Sequence, residues 1–237
     1  MKKSTLLSLI SLFLLIPATL FLGTRLTGRA YYITGTLIII EALLPFFFVF
    51  EGRKPQAREL VLLAVMCALA VATRGLFSWL PHFKMISAVI MMSGIAFGGV
   101  SGFLVGAVSA FASNFLFGQG PWTPWQMMAY GMGGYLAGLL WQKGFFSKTP
   151  LAMEIAGFFL VMLGVGPLLD CGTLFTVTPV FTPAAVLTVF GAGVPANLLH
   201  AIATGITLAV FGKPMLSKLE RVQRKYGMLG IDNPSAP

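Results

Sequence analysis

The chain alternates long apolar runs with short polar breaks, and most of the runs match the ~30 Å hydrocarbon thickness of a bilayer. The first, over 4–23, exceeds the roughly 7–15 apolar residues of a secretory signal and lacks a small-x-small cleavage site, which predicts a retained span. A second covers 31–50 and meets a polar break over 51–59 that carries Arg53, Lys54 and Arg58. A third covers 58–80 and is closed by Pro81, since proline is poorly tolerated inside a helix. The stretch 85–117 is too long for one crossing, and Gly98, Gly99 and Gly102 at its middle predict two helices joined by a short turn. After the loop 118–124 come spans over 125–141 and 152–175. A turn-rich segment with Pro179 and Pro183, a half-helix over 184–190 and a last span over 194–211 complete the pattern. The expected architecture is an all-α integral membrane protein of about eight transmembrane helices. A two-helix membrane extension over 1–57 precedes a six-helix core over 58–212 and a basic tail over 213–237.

Composition agrees. Of 237 residues, 57% are hydrophobic and 10% charged, against roughly a quarter charged in a soluble domain, which excludes a water-soluble globule. The 16 Lys+Arg outnumber the 7 Asp+Glu, but they sit at the ends of apolar runs and not on one soluble face, so no nucleic-acid partner is expected. Their placement reports topology instead. A cytoplasmic N-terminus puts Lys2, Lys3, Arg53, Lys54, Arg58, Lys143, Lys148, Lys213, Lys218, Arg221, Arg224 and Lys225 inside, and only Arg25, Arg29, Arg74 and Lys84 outside. Both termini are therefore expected in the cytoplasm. In the tail, Leu216, Leu219, Val222 and Tyr226 recur at helical spacing with bases between them. Two readings stand: a helix lying along the anionic inner leaflet, or a solvated stop signal. Cys67 and Cys171 lie in apolar segments, give no disulfide framework or thiolate metal spacing, and read as small buried apolar residues.

Small residues recur every fourth position as Ala64, Ala68, Ala72 and as Gly94, Gly98, Gly102, Gly106. Such stripes let helix backbones approach closely in lipid, within the monomer or against another membrane protein. Polar residues inside the membrane are costly and demand a reason. At 1.5 Å per residue, Arg74, Asp170 and His200 fall about 8–9 Å below the outer ends of three spans, and Asn114 and Asn197 about 5 Å below theirs. Above that layer lie His82, Lys84, Gln119, Trp122, Thr123, Trp125 and Gln126, whereas the inner halves of the same helices carry almost nothing ionisable. The asymmetry points to a solute site open to the outside with an aromatic-lined mouth. Taken one at a time, these residues have blander readings: an Arg74–Asp170 neutralising pair, a satisfied core histidine, tryptophans as interfacial anchors. Glu41, near the midplane of the extension, reads as protonated or hydrogen-bonded to a neighbouring helix. The methionines read as adaptable core filling.

There is no close carboxylate pair, no His/Glu metal motif and no GxxxxGK[ST] nucleotide loop in the sequence. No cofactor or metal is expected, and a transporter of this size would need its energy from elsewhere.

Three features carry a resemblance over 58–211: the AxxxA stripe of Ala64, Ala68 and Ala72; the run Ser113-Asn114-Phe115 to Gly118-Gln119-Gly120-Pro121-Trp122-Thr123-Pro124-Trp125-Gln126-Met127; and Pro195-Ala196-Asn197 with His200-Ala201. In these the chain resembles the substrate-binding S component of energy-coupling factor (ECF) vitamin transporters. The resemblance implies a multi-pass protein of a prokaryotic cell membrane. It implies a high-affinity vitamin site near the outer surface and reorientation in the membrane to deliver the ligand. It also implies docking through the alanine stripe onto a transmembrane T component bound to two ABC-type ATPases. The first 57 residues depart from the usual six-helix plan.

Among substrates the expectation leans to cobalamin or a related corrinoid, on the grounds of a glycine-rich core and of tryptophans, amides and the bases Arg74 and Lys84. Riboflavin, haem and smaller vitamin precursors stand beside it. The alternatives from other classes are a membrane enzyme acting on a lipid or prenyl substrate, with Asp170 and His200 as acid and base, and an assembly subunit without a ligand.

Overall fold

The computed structural model describes residues 10, 14–15, 18–19, 30–52, 56–144, 149–178 and 182–226. The first expected span, over 4–23, lies almost wholly outside the described residues. The elements are α1 (Ala30–Glu51), α2 (Ala57–Leu76), α3 (Ile86–Phe97), α4 (Gly99–Phe117), α5 (Thr123–Gln142), α6 (Pro150–Leu160), α7 (Gly166–Val177), α8 (Pro183–Thr207) and α9 (Lys213–Tyr226). α6 runs into α7 through a π-helical turn, Val161–Val165, and α8 into α9 through another, Leu208–Gly212. The described residues thus form seven continuous helices. Four of these, Ala57–Leu76, Gly99–Phe117, Pro150–Val177 and Pro183–Lys225, are long and apolar enough to cross a membrane. The eight-span expectation is not reached among the described residues.

One boundary differs from expectation. The expected half-helix over 184–190 and the span over 194–211 are a single helix, α8, which continues through Pro195. Thr182 caps it by accepting from the Ala185 amide at 3.1 Å, and Pro183 occupies the first turn, where its missing N–H costs nothing. Both π turns stand just before a proline, Pro167 in one case and Pro214 in the other. A proline cannot supply the i→i−4 bond, and a locally widened turn is a common way for a helix to absorb that defect without breaking. α2 ends at Leu76, four residues before the expected boundary, and a series of turns leads through Pro81 to His82.

The 85–117 stretch breaks as expected, at Gly98 alone. Its φ of 92° is in the left-handed region, so one residue reverses the chain between α3 and α4. The glycine stripe packs inside the monomer against α5. A Cβ on Gly102 would lie 2.6 Å from the Gly134 carbonyl oxygen, one on Gly106 2.6 Å from the Gly131 nitrogen, and one on Gly138 2.6 Å from the Gly99 nitrogen. Three backbones meet without intervening side chains, which is how helices gain contact where lipid gives them no hydrophobic drive to associate.

α1 leans on α4 and α5: Phe46 stacks on Phe103 at 3.6 Å between ring centroids and meets Tyr135 edge-on at 5.2 Å. Glu41 of α1 accepts a hydrogen bond from Thr19 at 2.8 Å, as expected of a carboxyl at that depth. At the other end of the chain, α9 turns Leu216, Leu219 and Gln223 inward, and the Gln223 amide donates to the Ala96 carbonyl of α3 at 2.9 Å. Of the two readings of the tail, neither a free stop signal nor a helix giving its apolar face to lipid describes this packing.

Candidate functional site

At the end of the bundle away from Gly98, the helices diverge around a cavity of about 210 Å³. The 77–85 turn, the 118–122 loop, α5, α7 and α8 supply its walls: His82, Lys84, Trp122, Trp125, Gln126, Tyr130, Leu169, Asp170, Gly172, Thr173, Ala196, Asn197 and His200. Eight of the residues singled out in the sequence line it together: His82, Lys84, Trp122, Trp125, Gln126, Asp170, Asn197 and His200. The other three, Arg74, Asn114 and Gln119, stand behind the wall.

Trp125 is held flat by Phe175 at 4.7 Å and has Gly172 beneath it, where a Cβ would lie 2.7 Å from the Trp125 Cβ. Tyr130 meets His200 edge-on at 6.0 Å. Both aromatic residues come from the first half of α5, whose entry Pro124 fits the first turn. His82 sits at the mouth with φ 61°, a left-handed conformation uncommon for a residue with a side chain.

Asp170 of α7 and Asn197 of α8 form a buried polar pair, each 8% exposed, with the Asn197 amide donating to the carboxylate at 2.6 Å. The blander reading of an Arg74–Asp170 neutralising pair does not hold among the described residues, because each has other partners. Glycines make the Asp170–Asn197 contact possible. A Cβ on Gly193, one turn before Asn197, would fall 2.6 Å from the Asp170 carboxyl carbon. A Cβ on Gly166, one turn before Asp170, would fall 2.6 Å from the Asn197 amide carbon. His200, 3% exposed, shares a 2.9 Å hydrogen bond with Ser87 of α3.

Behind the cavity, Arg74 at the end of α2 donates to Asn114 Oδ1 at 3.0 Å and to Ser113 Oγ, and its guanidinium lies 4.8 Å from the centre of the Phe117 ring. Asn114 in turn donates to Thr123 Oγ1 at 3.0 Å and to Gln126 Oε1 at 2.8 Å. Thr123 donates to Gln119 at 2.9 Å, and Gln119 to the Phe111 carbonyl at 3.0 Å. This network ties the 118–122 loop to α4 and fixes where α5 begins.

Sequence reasoning did not name Tyr130, Leu169, Gly172, Thr173 or Ala196 as site residues, although Ala196 stands in the Pro195-Ala196-Asn197 motif. Tyr130 carried a usable signal, since it lies four residues after Gln126 and therefore on the same helix face. The others are small or apolar, and nothing in their type distinguishes them from core.

Chemically, the cavity offers aromatic faces, two amides, a carboxylate, two imidazoles and a lysine within a largely apolar bundle. This is the arrangement of a site that recognises a small, partly aromatic solute. No curated protein and no solved structure matches the chain. The family model described as the ECF-type riboflavin transporter S component matches residues 54–219. That segment contains α2 to α8 with every residue lining the cavity and leaves α1 outside, and by this match the chain belongs to the ECF-type riboflavin transporter S component family.

Proposed function

We propose that the chain captures riboflavin, or a flavin closely related to it, in the cavity between α5, α7 and α8 and acts as the substrate-specific subunit of an ECF importer. The observation that carries this reading is the pairing, in one cavity, of a fixed aromatic surface at Trp125 with the amides of Gln126 and Asn197. An isoalloxazine has a flat apolar body to stack and a polar edge of carbonyls and one N–H to hydrogen-bond. The corrinoid expectation gives way: the family description names riboflavin, and a cavity of about 210 Å³, small beside the roughly 300–1,000 Å³ of drug-sized ligand sites, suits a tricycle far better than a corrin macrocycle. A lipid-modifying enzyme fits poorly with membership of a transporter-subunit family.

In this reading the cavity opens to the outside and both termini lie in the cytoplasm, because Lys143, Lys213, Lys218, Arg221 and Arg224 gather at the opposite end of the bundle. Power comes from the T component and the ATPases with which S components associate. Ala64, Ala68 and Ala72 are all exposed on α2, a smooth strip suited to close contact with a T-component helix.

The test is a titration of purified protein with riboflavin, followed by quenching of flavin fluorescence, with cobalamin as competitor. Saturable one-to-one quenching that cobalamin does not reverse is expected. Cobalamin binding without flavin binding would overturn the reading.

A further inference from the structure

The hydrogen bonds behind the cavity all run in one direction, and their source is Arg74. A guanidinium has donors only, so the Asn114 group facing it at 3.0 Å is the carbonyl oxygen. The Asn114 amide nitrogen then faces Thr123 and Gln126. Gln126 receives that donor on its own carbonyl oxygen at 2.8 Å, which leaves its NH₂ as the group available to the cavity it lines. The neighbouring bonds agree: Ser113 spends its proton on the Ala110 carbonyl and so accepts from Arg74, and Thr123 donates to Gln119, whose NH₂ goes to Phe111. Reversing any one amide would set two donors or two acceptors against each other.

Across the cavity the polarity is opposite. Asn197 gives its NH₂ to the Asp170 carboxylate and keeps its carbonyl oxygen for the solute. The two amides thus offer a donor on the α5 side and an acceptor on the α8 side.

We propose that Arg74 is a positioning residue that never touches the solute but sets the cavity's hydrogen-bond polarity through Asn114, so that Gln126 reads a carbonyl or ring-nitrogen acceptor. The proposal rests on the cavity being the solute site. It names the matching ligand feature: an edge carrying an acceptor beside an N–H, as in a cyclic imide.

Asn114→Asp is the sharpest test. The aspartate still pairs with Arg74 but cannot donate, so Gln126 turns its NH₂ away from the cavity and offers its oxygen. Riboflavin, 2-thioriboflavin and 4-thioriboflavin are titrated against wild type, Asn114→Asp, Arg74→Leu, Arg74→Lys and Gln126→Glu, with thermal melts as the check on folding. Sulfur accepts hydrogen bonds weakly, so wild type should disfavour one thio-analogue by about tenfold, the scale of one such bond. Asn114→Asp and Gln126→Glu should lose both affinity and that preference, Arg74→Leu should lose the preference, and Arg74→Lys should restore part of it. An unchanged preference in folded Asn114→Asp and Arg74→Leu, with riboflavin still bound, overturns the proposal alone. Failure of wild type to bind any flavin overturns the functional reading with it.

Discussion

Asp170 and Asn197 are joined by a 2.6 Å hydrogen bond, and each lies against a glycine of the other's helix, Gly193 and Gly166 respectively. The pair therefore couples α7 to α8 at the floor of the cavity as well as lining it. Replacing Asn197 with Leu leaves a buried carboxylate without its donor, at a cost of about 1–3 kcal/mol. The expected result is a lower unfolding temperature together with weaker flavin binding. An unchanged melt would show that the carboxylate finds another partner.

The glycines should divide sharply by position. Gly134→Leu drives a side chain into the Gly102 backbone, and the protein is expected not to accumulate in the membrane. Gly191→Ala meets nothing within 4 Å and should be neutral or stabilising by up to about 1 kcal/mol, as for other helical Gly→Ala changes. Expression level and thermal unfolding in detergent read both.

Bulky residues on the outer strip of α2 are expected to separate capture from delivery. Ala68→Trp, on an exposed position, should leave riboflavin affinity unchanged and abolish uptake by cells that also carry the T component and ATPases. Loss of binding and uptake together would remove α2 as the docking face.

α9 can be tested by trypsin. In wild type, Leu216 and Leu219 are buried and Gln223 holds the Ala96 carbonyl, so cleavage at Lys218 and Arg221 should be slow. Leu219→Ala, expected to cost about 2–5 kcal/mol as a core truncation, should free the helix and speed cutting. Equal rates would mean that the packing does not hold α9 in place.

Much of this architecture was legible in the apolar runs. The break at Gly98 followed from a stretch too long for one crossing with glycines at its middle, and the polar layer followed from depth counted along helices. The merger across 184–211 was not legible. Gly191 and Gly193 fall between the expected half-helix and the span beginning at 194, yet α8 runs through them without a break. At the site, residue type identified the groups that face the cavity but could not separate Gln126, which lines it, from Arg74 and Asn114, which stand one bond further back. All three are polar residues toward the same end of the bundle, and only side-chain direction tells them apart. Riboflavin and a corrinoid were equally compatible with composition, because composition carries no cavity volume.

The unbroken helix Pro183–Lys225 has 43 residues, which at 1.5 Å each makes a rod of about 65 Å, twice the hydrocarbon thickness of a membrane. It carries Asn197 and His200 near its middle and Gln223 near its C-terminal end. A rod of that length overruns the hydrocarbon, so its last turns, where Lys218, Arg221 and Arg224 are exposed, reach into the polar zone beside the membrane.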